Sequence, residues 1–163
     1  ALVRGDTVPP ERTEMEHQDY MEQALVLARE AANRGEVPVG CVIVKDGRIV
    51  GRGRNRREEK QAVYSHAEME AMAAANEALG SWRLEDCDLY VTLEPCPMCA
   101  GAILNARIAR VFYGARDAAM GACGGVLNLF MEAFPHCPQL VGGICAEESR
   151  ALLASFFAKM REK

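Results

Sequence analysis

Two short segments of the chain contain residue types that together could hold a metal ion. His66 is followed two positions later by Glu68, and Cys96 is followed three positions later by Cys99. Positions three apart at the start of a helix lie on the same side, so the two sulfurs would point the same way. The positive end of the helix would favour both cysteines as thiolates, the form that binds metal. One imidazole and two thiolates suit Zn²⁺ and leave its fourth tetrahedral position to water.

Glu68 would complete a hydrolytic centre beside that ion. Zinc acidifies its water enough to yield hydroxide near neutral pH, and a nearby carboxylate can move the protons. In the first turn of a helix, a ligand histidine and a carboxylate two residues later can both face that water. The order His-x-Glu and then Pro-Cys-x-x-Cys is the signature of zinc nucleobase deaminases. The motif therefore predicts hydrolytic deamination.

Each segment also has a simpler interpretation when it is considered alone. Ser65-x-x-Glu68 has the form of a capping box, in which Glu68 only ties back the start of a helix. A lone Cys-x-x-Cys can be a redox pair. A lone histidine at a helix start is more often a surface or capped residue. The joint pattern is much rarer than any of these, so we favour the metal site.

The elements around the motif predict an α/β fold with a three-layer α/β/α arrangement and a mixed five-stranded sheet. The first two strands form an antiparallel hairpin at one side, and the β-α-β-α-β segment after it implies parallel neighbours joined by right-handed crossovers. One turn of helix is expected near residues 126–131. We predict helices at residues 16–34, 67–79, 97–106 and 147–160, and strands at residues 37–44, 49–55, 88–93, 109–113 and 140–144.

Length and composition predict one domain in a cytoplasmic protein. The 163 residues suit a single domain over residues 15–163, preceded by a flexible polar leader over residues 1–14. The seven cysteines are an odd number without an export signal, which fits reduced thiols. No apolar run is long enough for a membrane span. The formal net charge of −4 means that a nucleic-acid partner would have to meet a local basic patch.

The residues that flank the motif closely resemble the bacterial tRNA-specific adenosine deaminases. The similarity is clearest in residues 92–102 (TLEPCPMCAGA), 107–111 and 113–117 (YGARD), and it extends over about residues 21–160. Cytosine, guanine and deoxycytidylate deaminases share the zinc motif, whereas the Gly-Ala-Arg-Asp segment favours the tRNA branch. The resemblance implies a cytidine-deaminase-like fold. It also implies a homodimer that grips the anticodon stem-loop of tRNA and converts the wobble adenosine to inosine.

The resemblance also implies roles for the motif residues. His66, Cys96 and Cys99 would hold one zinc ion per chain, and Glu68 would be the proton shuttle. Activated water would attack C6 of adenine while Glu68 delivers a proton to ring nitrogen N1 and then to the departing amine. The base must leave any stack to react, so a single-stranded loop is the natural substrate.

The substrate contacts that the resemblance implies lie outside the zinc motif. Asn55 stands where the family hydrogen-bonds the flipped purine, and Asp117 matches an aspartate near the backbone and sugar of the substrate nucleotide. Val37, Pro38 and Leu93 would line the base pocket.

The sequence departs from the family immediately before His66. The family usually has alanine there, preceded by a small or β-branched residue, whereas this chain has Tyr64 and Ser65. The Tyr64 ring is expected to stack on a base or to narrow the mouth of the pocket. This departure affects substrate range more than chemistry.

Two basic clusters could contact RNA phosphates. Arg52, Arg54 and Arg56 alternate along the second predicted strand and would share one face. Because Glu58 and Glu59 follow at once, the row could equally be a solvated edge strand. The second cluster is C-terminal: Lys159, Arg161 and Lys163.

Other functions remain open at this stage. One is a deaminase of free nucleobases or nucleosides, guanine or cytosine, and another is a non-catalytic zinc-containing RNA-binding subunit. A deaminase altered to act on DNA is a third. A second zinc site is disfavoured by the irregular spacing of its candidate ligands: Cys123, His136, Cys137 and Cys145.

Overall fold

A computed structural model of the chain describes residues 14–162. The helices are α1 (Glu14–Asn33), α2 (Arg57–Lys60), α3 (Ala67–Leu79), α4 (Pro97–Ala106) and α5 (Ala146–Arg161), and the strands are β1 (Gly40–Lys45), β2 (Arg48–Arg54), β3 (Cys87–Leu93), β4 (Arg110–Ala115) and β5 (Gln139–Val141). The leader predicted over residues 1–14 lies outside this range except for Glu14, where α1 begins. Among the described helices, none combines the length and the apolar character that crossing a membrane requires.

The strands form one mixed sheet in the order β2-β1-β3-β4-β5. β1 pairs antiparallel with β2 and with β3, whereas β4 pairs parallel with β3 and with β5. The α/β fold with a mixed five-stranded sheet is thereby confirmed, and so is the antiparallel hairpin at one side. The expectation of parallel neighbours holds for β3 and β4 but is wrong for β2 and β3. β3 pairs with the edge of β1 that the hairpin leaves free, so β2 lies at the outer edge of the sheet.

Alternating residues of the central strands supply two apolar cores. In β3, Leu89 and Val91 face the larger core, which also contains residues of α3 and α4. Tyr90 faces the smaller core with Met21 and Ala24 of α1. This alternation buries both faces of the sheet, with α3 and α4 on one side and α1 on the other.

Most predicted elements recur with shifted ends, and α3 and α4 have the predicted bounds. The fifth strand ends at Val141 rather than at residue 144, because Gly142 and Gly143, the latter at a φ of +90°, turn the chain. The expected helical turn near residues 126–131 is a shorter 3-10 turn at Leu129–Met131. Helix α2 has no counterpart among the predicted elements.

Helix α3 lies directly on the backbone of β2. A Cβ at Gly53 would lie 2.3 Å from the carbonyl oxygen of Ala67 and 2.4 Å from the amide nitrogen of Ala71. At Gly51 the same atom would lie 2.3 Å from the carbonyl oxygen of Ala71. Only glycine allows this approach, so the two glycines fix the height of α3 above the sheet.

We expect Gly53→Ala to lower the free energy of unfolding by about 1–3 kcal/mol, because the methyl group must displace the start of α3. Urea denaturation measures this loss. Gly101→Ala is the matched control: the added methyl meets no atom within 4 Å, and alanine favours a helix interior. Equal stability of Gly53→Ala and the unaltered chain would contradict the close packing.

Candidate active site

Three potential metal ligands meet where α3 and α4 begin. His66 is the N-cap of α3, Cys96 is the N-cap of α4, and Cys99 lies in the first turn of α4. The Nδ1 atom of His66 lies 3.6 Å from the Sγ atom of Cys96 and 3.5 Å from that of Cys99. All three ligand atoms lie within 4.8 Å of one another. Tetrahedral zinc at usual bond lengths separates nitrogen and sulfur ligands by about 3.6 Å, so this cluster fits the ion.

Local sequence explains why the ligands converge. Pro97 occupies the first helical position of α4, where its missing N–H is not needed, and Cys96 before it is extended. The His66 carbonyl accepts the N–H of Glu70 at 3.0 Å, and that of Cys96 accepts the N–H of Ala100 at 2.9 Å. Both helices therefore direct their positive ends at the ligand cluster, which favours negative charge there.

The pKa values of the three potential ligands are shifted in different directions. The hydrogen bond with Cys99, followed by that with His66, lowers the pKa of Cys96 to about 4. The same bond to Cys96, together with burial, raises the pKa of Cys99, and the bond to Cys96 raises the pKa of His66. These bonds thus favour the thiolate form of Cys96. A bound metal would displace the proton from Cys99.

Glu68 is buried beside the ligands with a carboxyl group suited to proton transfer. Burial is the main cause that raises its pKa to about 7, and its side chain hydrogen-bonds the Cys99 thiol. The capping-box interpretation is wrong, since His66 rather than Ser65 is the N-cap of α3. The Ser65 hydroxyl oxygen has no hydrogen-bond partner within the described residues. Glu68 therefore lies in α3 without closing the helix start.

A cavity of about 220 Å³ opens over the cluster. Small-molecule pockets usually measure about 300–1,000 Å³, so this one suits a single base rather than a whole nucleotide. Its wall contains residues from five parts of the chain: Val37, Val39, Asn55, Arg57, His66, Ala67, Glu68, Leu93, Glu94, Cys96, Asp117 and Met120.

The cavity brings together most of the site residues predicted from sequence. Cys99 is buried beneath the wall, within the ligand cluster. Pro38 is buried but does not line the cavity, and Tyr64 is 59% exposed and also lies outside the wall. The remaining predicted residues all line it: Val37, Asn55, His66, Glu68, Leu93, Cys96 and Asp117.

Asn55 is held by backbone contacts at the cavity wall. Its Nδ2 donates to the Val37 carbonyl at 3.3 Å, and its Oδ1 accepts the Arg57 N–H at 3.1 Å. An amide side chain has two N–H donors and two acceptor lone pairs. Asn55 therefore retains one donor and one acceptor for a molecule in the cavity.

Two wall residues that sequence reasoning missed are charged. Arg57 lies two residues after Asn55. The amides of the next two residues, Glu58 and Glu59, donate to the buried Glu36 carboxylate at 3.1 and 2.7 Å. Glu94 comes directly after β3 and is only 2% exposed. Glu94 could have been recognised in the sequence as a carboxylate that follows an apolar strand and precedes Pro-Cys.

The arginine row is partly neutralised by neighbouring carboxylates. Arg54 pairs with Glu59 at 3.1 Å, and Arg56 pairs with the same carboxylate and lies 3.9 Å from Glu70. Arg52 is exposed. The row therefore combines a solvent-facing arginine with a small ion-pair network at the sheet edge.

The four candidates for a second zinc site do not come together. His136 Nε2 lies 2.6 Å from the Ile108 carbonyl oxygen, and the Cys137 thiol donates to the Phe130 carbonyl at 3.0 Å. Cys123 is buried near Glu94, whereas Cys145 lies near Glu22 and Glu148.

Comparison with known proteins places this geometry among deaminases. Residues 15–158 match the family model of the MafB19-like deaminases. A tRNA-specific adenosine deaminase from Bacillus subtilis (strain 168) is 46% identical over 88% of this chain and 90% of its own length. A structure from a study of A-to-I editing by tRNA:A34 deaminases at the wobble position of transfer RNA is 48% identical, with a TM-score of 0.76. The match covers 78% of this chain and 99% of the chain in that structure.

A guanine deaminase from Bacillus subtilis is also similar to this chain. Its structure is 44% identical with a TM-score of 0.59, and the match covers 61% of this chain and 64% of its own. The match is therefore less extensive than those to the two tRNA-specific deaminases.

The ligand cluster predicts one thiolate-rich metal site per chain. Titration of metal-free protein with Co²⁺ should produce sulfur-to-cobalt charge-transfer absorption that saturates at one equivalent. Cys99→Ser should weaken binding and reduce that absorption, because one of the two sulfur ligands is lost. Cys137→Ser, at an exposed cysteine outside the cluster, is the matched control and should behave like the unaltered chain. Full absorption in Cys99→Ser would refute the assignment.

Proposed function

The chain belongs to the MafB19-like deaminases, and its similarity to curated relatives places it among the tRNA-specific adenosine deaminases. On this basis we propose which of its residues perform the reaction. The protein is a hydrolytic enzyme that converts the wobble adenosine of tRNA to inosine. The overall change consumes one water molecule and releases ammonia. The observation on which the assignment of residues rests is the ligand cluster at the floor of a base-sized cavity.

We propose that His66, Cys96 and Cys99 hold one zinc ion. Support comes from the donor set, from ligand separations of 3.5 and 3.6 Å, and from the stable thiolate at Cys96. Zinc with such ligands acidifies water and so supplies a nucleophile at neutral pH. The convergence of two helix N-termini favours the thiolate form of the sulfurs, which is the form that binds metal.

Glu68 is proposed as the acid and base of the reaction. A group whose pKa is about 7 both accepts and releases a proton readily at neutral pH. Glu68 would accept a proton from water and donate it to ring nitrogen N1. It would then accept the second proton from the hydroxyl group added at C6 and donate it to the exocyclic amine, which leaves as ammonia while C6 becomes a carbonyl. Because Glu68 lines the cavity, it would lie beside the attacking water, ring nitrogen N1 and the exocyclic amine of a bound adenine.

The other predicted substrate-binding residues are proposed to bind and orient the nucleotide. Asn55 would use its spare donor and acceptor on the edge of the purine, while Val37 and Leu93 cover the faces of the ring. Asp117 would contact the sugar and backbone of the same nucleotide. Pro38 is proposed to act indirectly, by fixing the backbone beside Val37. The exposed ring of Tyr64 would stack on a neighbouring base.

A tRNA is the substrate, and we propose its anticodon stem-loop as the bound region. The cavity accepts one base, and a loop can release a base from its stack at low cost. Exposed Arg52, together with Lys159 and Arg161 at the end of α5, would meet phosphates. We propose that this reaction takes place in the cytoplasm.

A homodimer is proposed as the working unit. Large apolar side chains are exposed in the segment that precedes β5: Val126, Leu127, Met131 and Phe134. Trp82 is also exposed, in the loop after α3. Exposed apolar side chains grouped in one segment are typical of surfaces that pair with a partner.

The test of function is inosine formation at the wobble base of an in vitro transcribed arginine tRNA with an ACG anticodon. We expect Glu68→Gln to reduce the rate by about 10²–10⁴-fold, because proton transfer is lost. Zinc content should stay the same. Glu77→Gln, at an exposed carboxylate on the same helix, is the matched control.

The same assay separates the alternatives when free adenosine, guanine and cytosine are offered beside the tRNA. Turnover of a free base alone would identify a nucleobase deaminase. Zinc-loaded protein that binds tRNA and turns over nothing would be a binding subunit. Unchanged activity in Glu68→Gln would refute the role of this residue.

Sedimentation equilibrium tests the proposed dimer. The expected mass is twice the 17.8 kDa of the chain. Met131→Glu should shift the equilibrium toward monomer, because it puts a charge on the exposed apolar segment. Met160→Glu, at an exposed methionine on α5, should leave the mass unchanged. A monomer at every concentration of the unaltered chain would refute the dimer.

A further inference from the structure

Glu94 is a buried carboxylate that the proposed chemistry does not use. It lies between the end of β3 and the start of α4 and is 2% exposed. Within residues 14–162 it forms no ion pair. Its charge is instead satisfied by three backbone amides: its Oε1 accepts the N–H of Asp117 at 3.0 Å, and its Oε2 accepts those of Cys123 and Gly125 at 2.9 and 2.7 Å. A buried charge with this many bonds fixes the groups that donate to it.

All three donors belong to one loop, residues 117–125, which wraps around the carboxylate. A Cβ at Gly121 would lie 2.1 Å from the Glu94 Oε2 atom, and a Cβ at Gly125 would lie 2.9 Å from both oxygens. Glycine at these positions allows the backbone to approach. The carboxylate therefore acts as the template on which the loop is folded.

The same loop forms one wall of the substrate cavity through Asp117 and Met120. The Asp117 carboxylate accepts the N–H of Ala119 at 3.0 Å and that of Met120 at 3.1 Å, so the two wall residues are locked to each other. The Asp117 amide is in turn bound to Glu94. A displacement of the Glu94 carboxylate would move this wall as a unit.

We propose that Glu94 is a positioning residue that holds Asp117 and Met120 against the substrate nucleotide. This inference rests on the proposed contact between Asp117 and that nucleotide. Glu94 would set the KM for tRNA, whereas kcat depends on Glu68 and the zinc ligands in α3 and α4.

Glu94→Gln is the main variant. Glutamine has nearly the same shape, but its NH₂ group must face at least one of the three backbone amides and leave it without an acceptor. We expect KM for tRNA to rise about tenfold, the effect of one unpaired buried amide, with kcat nearly unchanged and zinc retained at one per chain.

Asp88→Asn is the matched control. Asp88 is also buried, at 3% exposed, and lies at the opposite end of β3, where Arg110 donates to it at 2.8 and 2.7 Å. Its amide variant should lose stability without any change in KM. An equal rise in KM in both variants would show that Glu94 is merely structural, and the proposal would be overturned.

A double-mutant cycle with Asp117→Ala separates this inference from the function on which it rests. If Asp117→Ala leaves KM unchanged, the proposed substrate contact itself fails. If Asp117→Ala raises KM and Glu94→Gln multiplies that rise in full, Glu94 acts independently and the inference fails. We expect Glu94→Gln to add little to Asp117→Ala, since both act through one wall. If Glu94→Gln loses both kcat and bound zinc, the inference is overturned as well, because the variant would then act through the neighbouring ligand Cys96.

Gly125→Ala serves if Glu94→Gln does not fold. Its methyl group would press on the same carboxylate and on the Asp117 carbonyl oxygen, which lies 2.1 Å from the added Cβ. We expect the same rise in KM with unchanged kcat. An unaltered KM in this variant would overturn the inference.

Discussion

The meeting of two helix N-termini is the constraint on which the active site depends. His66 and Cys96 occupy the N-cap positions of α3 and α4, so the positive ends of both helices face one point. Such a point stabilises thiolates, and the low pKa of Cys96 reflects a hydrogen-bonded sulfur in this position. Moving either helix along the sheet would separate the nitrogen from the sulfurs. The close contact of α3 with the glycines of β2 is therefore also a requirement of the proposed metal site.

The sheet order explains why these termini coincide. β2 and β3 both run antiparallel to β1, and β4 runs parallel to β3. These three strands thus end at the same edge of the sheet, and so does β5, which runs parallel to β4. The residues that follow them supply Asn55 and His66 after β2, Cys96 after β3, and Asp117 after β4. Ligand sites in open α/β sheets form at the carboxyl ends of strands, and this enzyme follows that rule although one strand between them runs the other way.

Sequence patterns predicted the parts of the molecule that depend on local chemistry. Helices α3 and α4 were predicted with their observed bounds because Pro97 and Gly80 mark their ends. The insertion of β1 between β2 and β3 was not predicted, because strand order depends on long-range pairing. The same limit applies to Glu94, whose hydrogen bonds span from 23 to 31 residues of sequence. The residues of the proposed ligand set could be found in the sequence, since each motif is contiguous.

Three buried glutamates near the cavity show how one residue type serves different purposes. Glu36 and Glu94 each accept backbone N–H bonds from a distant segment, which makes each an anchor for that segment. Glu68 hydrogen-bonds its own amide and the Cys99 thiol, and burial still raises its pKa to about 7. An anchor keeps one fixed set of hydrogen bonds, whereas a proton shuttle must be able to gain and lose a proton near neutral pH. The distribution of backbone amides among these carboxylates therefore distinguishes the proposed proton shuttle from the carboxylates that anchor distant segments.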